Sequence, residues 1–99
     1  MTTSDLKLLS IAEINESLSK LIGWNLEDNG SSIAKNLDFK DFKEAINFIN
    51  RVVEIAEQEN HHPGIRLHGY NKVELKLTTH SVNGLTKRDF EIAGMVDSL

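Results

Sequence analysis

The chain has 99 residues, a length that predicts one domain with a modest core. Its 11 basic and 15 acidic residues give a formal net charge of −4, and the basic residues are scattered, which argues against direct nucleic-acid binding. Cysteine is absent, so disulfides, thiolate catalysis and cysteine zinc sites are excluded, and a cytoplasmic location is predicted. No apolar run reaches the roughly 18 residues that span a bilayer, and neither a signal peptide nor a membrane interaction is predicted.

The first predicted elements are a helix and a β-hairpin. Ser10 begins a capping box, and apolar side chains then recur at helical spacing, so a helix is predicted over 11–22. A short extended segment follows at 24–26, and then a turn at 28–30, where Asn and Gly tolerate positive φ. Alternating apolar residues from Ile33 onward predict the second strand of the hairpin.

The clearest helix is the second, which is predicted over 42–58. Asp41 is its capping residue, and apolar residues follow the i, i+3, i+4, i+7 spacing. Phe48 and Ile55 lie off the main apolar stripe, which is consistent with a second buried face, for example against another subunit. Pro63 and the polar residues before it end the helix.

The second half of the chain repeats the pattern of a hairpin followed by a helix. Ile65 and Leu67 indicate a short strand, a turn follows at 69–71, and apolar residues alternate with polar ones over 73–77. A further capping pattern predicts a last helix from residue 87 to the end. The order α-β-β-α-β-β-α predicts an α+β fold, in which one four-stranded antiparallel sheet has three helices on one face.

Three of the four histidines occur in two short segments. His61 and His62 directly precede Pro63, and His80 lies on the polar side of the last predicted strand, near its end. If the strands form one sheet, His80 and the loop of the histidine pair can meet at one edge of it. Imidazole titrates near neutral pH, so three such groups around a cleft suit acid–base catalysis on a small molecule. Surface residues without a function are the competing interpretation.

A metal site is the next alternative. Adjacent histidines project in different directions, and they lack the i, i+4 spacing that places two imidazoles on one helical face. Since cysteine is also absent, no metal is predicted.

A longer set of residues resembles the pterin-4a-carbinolamine dehydratase family. The family pattern has an acidic residue, the sequence HHP, an aromatic residue, a histidine and an aspartate, in that order. Those places are filled here by Glu57, His61, His62, Pro63, Tyr70, His80 and Asp89. Upstream segments also resemble the family: Gly23-Trp24, Phe39-Lys40-Asp41-Phe42, Ala45, Phe48 and Arg51-Val52. Together these segments cover about residues 10 to 99.

The resemblance implies an enzyme that removes water from 4a-hydroxytetrahydropterin and forms quinonoid dihydropterin, without a metal or organic cofactor. Aromatic amino acid hydroxylases leave this carbinolamine when they use tetrahydrobiopterin, so a link to such a hydroxylase is implied. By resemblance, His61 and His80 form the acid–base pair, and His62 binds and orients the pterin. The resemblance implies substrate contacts for a further set of residues, namely Glu57, Pro63, Thr78, Thr79, Arg88, Asp89 and Trp24.

Several of these residues also have a purely structural interpretation. Asp89 has the position of a helix-capping residue, and Glu57 that of an exposed residue in the last turn of the second helix. Arg88 is equally explained as a surface arginine, and Trp24 as a core residue.

One departure from the family is Ile65, where many relatives have an aromatic residue in the pocket wall. His68 lies outside the pattern. The resemblance implies a homodimer or homotetramer. The alternative function is a non-catalytic interaction or assembly module, since some relatives bind a homeodomain transcription factor and others serve as assembly factors. A dehydratase for another pterin-like ring is a third possibility.

Overall fold

The computed structural model describes residues 6–99, which form three α-helices and four β-strands. The helices are α1 (Ile11–Ser19), α2 (Phe42–Glu59) and α3 (Lys87–Asp97). The strands are β1 (Trp24–Glu27), β2 (Ser32–Asp38), β3 (Gly64–His68) and β4 (Lys72–Leu77). Their order along the chain confirms the predicted α+β fold.

The four strands form one antiparallel sheet in the order β1-β2-β4-β3. Both predicted hairpins are present, and the pairing of β2 with β4 joins them in the centre of the sheet. Lys76 of β4 lies between Ala34 of β2 and Gly64 of β3. The end of β4, from which the chain continues to His80, therefore lies beside the start of β3, just after the histidine pair.

The alternation along β4 separates the two faces of the sheet. Val73, Leu75 and Leu77 are buried in a core that also contains apolar residues of all three helices, whereas Lys72, Glu74 and Lys76 are exposed or half-buried. Because side chains in a strand point alternately to opposite faces, the helices cover one face and polar side chains occupy the other.

Helix α1 ends three residues earlier than predicted, at Ser19 rather than at residue 22. The backbone N–H of Ile22 donates to Asp97 Oδ2 at 2.9 Å, so it is not available to extend the helix. Gly23 then adopts a positive φ of 76°, which turns the chain into β1.

Asp97, the last residue of α3, binds residues of β1 and β2 and of the segment that precedes β1. Its carboxylate accepts hydrogen bonds from Lys35 Nζ at 2.8 Å, from Trp24 Nε1 at 2.9 Å and from the Ile22 N–H at 2.9 Å. Burial opposes the charge of this carboxylate, but the hydrogen bonds from Lys35, Ile22 and Trp24 outweigh it, and the pKa of Asp97 is lowered.

Replacing this carboxylate tests its contribution to stability. We expect Asp97→Asn to lower the free energy of unfolding at pH 7 by about 3 kcal/mol, because the Lys35 ammonium then remains in a largely buried position without its counter-charge. Asp38→Asn is the matched control, since Asp38 pairs with Lys72 on the exposed surface and should contribute little. Urea denaturation measures both variants.

The lowered pKa of Asp97 also determines how this difference depends on pH. The stabilisation that the Asp97 carboxylate provides is complete above the pKa of this group in the unfolded chain, about 3.9. It is lost as the pH falls through the lower pKa of Asp97 in the folded protein. The difference in unfolding free energy between wild type and Asp97→Asn should therefore shrink over that acid range. A difference that stays constant down to the lowest pH at which both proteins fold would contradict this assignment.

Candidate active site

The end of α2 directs the two adjacent histidines to different partners. Asn60 takes up the left-handed conformation (φ 51°) that ends the helix, and both its N–H and that of His61, the latter at 3.1 Å, donate to the carbonyl of Ala56. Because the chain turns at Asn60, the rings of His61 and His62 contact different helices. His61 binds α3, and His62 binds back to α2.

His61 lies beside a buried carboxylate. Its Nε2 is 2.7 Å from Asp89 Oδ1, its side chain is 10% exposed, and the side chain of Asp89 is fully buried. An ionised carboxylate only accepts hydrogen bonds, so Nε2 carries the proton and the neutral ring has its lone pair on Nδ1. Asp89 Oδ2 accepts from the backbone N–H of Thr86 at 3.0 Å, which caps α3.

His62 has a similar partner in a different environment. Its Nε2 is 2.5 Å from Glu57 Oε2, and the two side chains are 58% and 69% exposed. Glu57 lies in the last turn of α2, so it reaches the histidine that follows the helix. The exposure of this pair leaves it open to exchange with water, unlike the pair of His61 and Asp89.

A cavity of about 110 Å³ lies between His62 and His80. Its remaining lining residues are Gly64 at the start of β3, Lys76 of β4, and Thr78 just after β4. Thr78 Oγ1 donates to the Ser31 carbonyl at 2.7 Å, which fixes this wall against the turn before β2. The structure thus brings two of the three predicted histidines to one hollow, although they are 18 positions apart in the sequence.

Lys76 is a lining residue that the sequence analysis did not identify. Its ammonium donates to Asp28 Oδ2 at 3.1 Å and lies 3.5 Å from Glu27 Oε1. The hydrogen bond to Asp28, followed by the charge of that carboxylate, raises the pKa of Lys76. Lys76 has the same strand parity as Thr78 and could have been found from that alternation. It contributes a cation with acidic partners to the wall of the cavity.

Arg88 and Trp24 are not among the residues that line this cavity. The Arg88 guanidinium donates to the backbone carbonyl of Glu59, and it lies 3.6 Å from the Glu59 carboxylate and 3.8 Å from that of Glu91. Trp24 is 7% exposed and binds Asp97 on the edge strand β1. Trp24 is thus a core residue, as its structural interpretation expected. The Arg88 side chain is only 16% exposed, so it is more buried than the surface arginine of its structural interpretation.

The remaining residues with an implied substrate contact differ in whether they line the cavity. Thr78 lines it, whereas Thr79 is buried on the helix side and donates to Asp89. Pro63 is half-buried between His62 and Gly64, two of the lining residues. Ile65, which replaces the aromatic residue of many relatives, is 37% exposed on β3.

Two larger cavities lie elsewhere in the structure. One, of about 410 Å³, is a mainly apolar groove between α1 and α3, and the other, of about 510 Å³, lies between β2, α2 and the end of α3. Neither is lined by a histidine. We therefore place the candidate site at the smaller cavity, where groups capable of acid–base chemistry converge.

The described part of the chain has neither a group of side chains placed to bind a metal ion nor a helix that could span a membrane. Within residues 6–99, no group of three or more His, Asp or Glu side chains is arranged to hold a metal ion. Over the same range, every helix is too short or too polar to cross a bilayer.

Comparison with known proteins identifies the family of this chain. The family described as pterin 4 alpha carbinolamine dehydratase matches residues 7–99. The chain belongs to this family. It is 48% identical over 93 residues to a protein of Trichormus variabilis, covering 94% of this chain and 97% of that protein, and 47% identical over 94 residues to one of Sulfurisphaera tokodaii, covering 95% and 98%. Both proteins are named, provisionally, as pterin-4-alpha-carbinolamine dehydratases.

Solved structures have the same fold as this family member. A crystal structure from Brucella melitensis, described as a transcriptional coactivator/pterin dehydratase, superposes with a TM-score of 0.87 at 36% identity, covering 93% of this chain and 97% of that one. A pterin dehydratase-like protein, described as a RuBisCO assembly factor in the alpha-carboxysome, superposes with a TM-score of 0.66 over 78% of this chain and 88% of that one. At 18% identity the second structure shows the fold alone.

The two histidine–carboxylate pairs predict different stability effects. We expect Asp89→Asn to lower the free energy of unfolding by about 2 kcal/mol, because an amide NH2 replaces one acceptor oxygen and leaves a buried donor that binds Asp89 without its acceptor. Glu57→Gln is the matched control, since it changes the carboxylate of the exposed pair and should have little effect. Equal losses in urea denaturation would show that burial does not separate the two pairs.

Proposed function

We propose that the protein is a 4a-hydroxytetrahydrobiopterin dehydratase that uses histidine general acid–base catalysis. The observation that favours this function is the cavity lined by both His62 and His80, in a chain of the dehydratase family whose carboxylate-bound His61 directly precedes His62. Ring nitrogens at such a site can donate and accept protons near neutral pH.

The reaction requires two proton movements. Hydroxide is a poor leaving group, so an acid must protonate the oxygen on C4a as the C4a–O bond breaks. The lone pair on N5 forms the C4a–N5 double bond, and the N5 proton must then pass to a base. The reaction converts one carbinolamine into one quinonoid dihydropterin and one water, so it needs no oxidant or reductant.

We assign the two proton transfers to His61 and His80, and the orientation of the pterin to His62. His80 is exposed at the cavity, so it can exchange protons with solvent between turnovers. His61 offers Nδ1, because Asp89 binds its Nε2. His62 lines the cavity and is held by Glu57. In an alternative assignment, His62 transfers the proton and His61 has the supporting role. The observation in its favour is that His62 lines the cavity and His61 does not.

The remaining parts of the proposal concern the setting of the reaction. We propose a cytoplasmic enzyme of tetrahydrobiopterin recycling that uses no cofactor, binds a small pterin substrate, and shares its pathway with an aromatic amino acid hydroxylase. We further propose a homodimer or homotetramer, whose mass in solution light scattering would measure. Phe48 and Ile55 of α2 pack against the core of their own chain, whereas Phe42 and Val53 of the same helix are exposed, which is consistent with such an assembly.

The alternative function is an interaction or coactivator module. The observation that favours it is the likeness to the Brucella melitensis protein, which is described as a transcriptional coactivator as well as a pterin dehydratase. The two functions differ in turnover. Optical detection of dehydration of freshly generated 4a-hydroxytetrahydropterin supports the enzyme, and its absence in the folded, assembled protein supports the module.

Substitution of His80 tests the catalytic proposal. We expect His80→Gln to lower kcat/KM for dehydration by roughly 10²-fold, because one of the two proton transfers loses its side chain. His68→Gln is the matched control, since His68 is an exposed histidine of β3 and does not line the cavity. Unchanged turnover in a folded His80→Gln variant contradicts the role of His80.

A comparison of His61→Gln with His62→Gln distinguishes the two assignments of roles. If His61 transfers a proton, its replacement should lower kcat by roughly 10²-fold while KM changes little. If His62 only orients the ring, its replacement should mainly raise KM. The reverse pattern would assign the proton transfer to His62.

A further inference from the structure

We propose that Thr79 is a positioning residue that fixes His61 through the buried carboxylate of Asp89. Thr79 does not line the cavity, although its neighbours Thr78 and His80 both do. Its hydroxyl instead donates to Asp89 Oδ2 at 2.8 Å, and the other oxygen of that carboxylate binds His61. The family resemblance implied a pterin contact for Thr79, and the present proposal gives this residue a different role.

The proton positions in this network follow from the partners. Thr79 Oγ1 has one proton, and the Asp89 carboxylate can only accept, so Thr79 donates to Asp89. The hydrogen bond of 2.9 Å between the hydroxyls of Thr79 and Thr86 must then have Thr86 as its donor. Thr86 Oγ1 in turn accepts from the backbone N–H of Arg88 at 3.2 Å.

The result is a chain of hydrogen bonds that all run in one direction. It begins at the first turn of α3, passes through the hydroxyls of Thr86 and Thr79, and ends on Asp89. Hydrogen bonds arranged head to tail polarise one another, and they do so more strongly where water is excluded. Thr79 is 4% exposed, and Thr86 and Asp89 are fully buried, so water does not readily substitute for either hydroxyl.

This arrangement leaves Asp89 one orientation. Two donors, the Thr79 hydroxyl and the Thr86 N–H, hold Oδ2, and Oδ1 then points to His61 Nε2. The carboxylate in turn holds the imidazole as the tautomer with hydrogen on Nε2. Nδ1 is thereby the atom through which His61 exchanges a proton, and within residues 6–99 no hydrogen bond is made to it.

Charged groups near His61 do not offer the ring another partner. Arg88 precedes Asp89 on α3, but its guanidinium binds the carbonyl of Glu59 and lies near the Glu59 and Glu91 carboxylates. Glu57 is paired with His62. Asp89 is therefore the group whose position governs the imidazole of His61.

Thr79→Val is the decisive variant, because valine has nearly the shape of threonine and lacks the hydroxyl. Without this donor the Asp89 carboxylate interacts more strongly with a charged imidazole. We expect the titration midpoint of His61, followed by ring-nitrogen NMR, to rise by roughly half a pH unit. We also expect kcat to fall about tenfold while KM stays within about twofold, since only the positioning of a proton-transfer group is lost.

Three further variants make the test specific. Thr79→Ser keeps the hydroxyl and should restore the wild-type midpoint and kcat. Thr86→Val removes the hydroxyl that orients Thr79, so it should shift both quantities in the same direction by less, and it replaces Thr79→Val if that variant does not fold. Ser10→Ala removes the capping hydroxyl of α1, which serves as a control for lost stability without contact to His61.

The kinetic part of this inference rests on the proposed dehydratase function, whereas the NMR part does not. A shifted midpoint in a protein without dehydratase activity would support the role of Thr79 and count against the proposed function. If folded Thr79→Val, or Thr86→Val in its place, keeps the wild-type midpoint, the inference is overturned, whatever the activity. An equal shift in Ser10→Ala would overturn it as well.

Discussion

The contact between the end of α2 and the start of α3 is the constraint on which the candidate site depends. A helix leaves backbone carbonyls unpaired at its last turn and N–H groups unpaired at its first. Here Arg88 binds the carbonyl of Glu59, and Asp89 accepts the N–H of Thr86. The cation thus lies at the negative end of one helix dipole and the carboxylate at the positive end of the other. Asp89 adds the link to His61, so the docking of the two helices and the placement of the imidazole are one arrangement.

The periodicity of the sequence was sufficient to predict the architecture. The alternation over 73–77 and the helical spacing over 42–58 each identify one buried face, and short turns between them leave few ways to arrange the strands. The end of α1 was predicted wrongly because its cause is not local. Ile22 gives its N–H to Asp97, which lies 75 positions later, and no pattern around residue 22 reports that contact.

The candidate site was predictable in its residue types but not in its contacts. The family pattern identifies His62 and His80, which line one cavity. It does not distinguish a side chain that contacts a ligand from one that holds its neighbour, because both uses need the same donors and acceptors. Arg88 and Thr79 illustrate this limit, since both bind protein groups around His61 and Asp89. Lys76 was missed because a lysine on the polar face of a strand is ordinarily a solvated surface residue.

The three histidines occupy two kinds of environment, and the proposed reaction has a use for each. After one turnover the acid has lost a proton and the base has gained one, so the starting state must be restored by transfer between them or through water. An exposed imidazole such as His80 exchanges protons with solvent readily. A buried imidazole such as His61 keeps one tautomer and one orientation, because its carboxylate partner is itself held by buried donors. A site built from one fixed and one solvent-accessible imidazole therefore combines orientation at the reacting bond with a route for returning the proton.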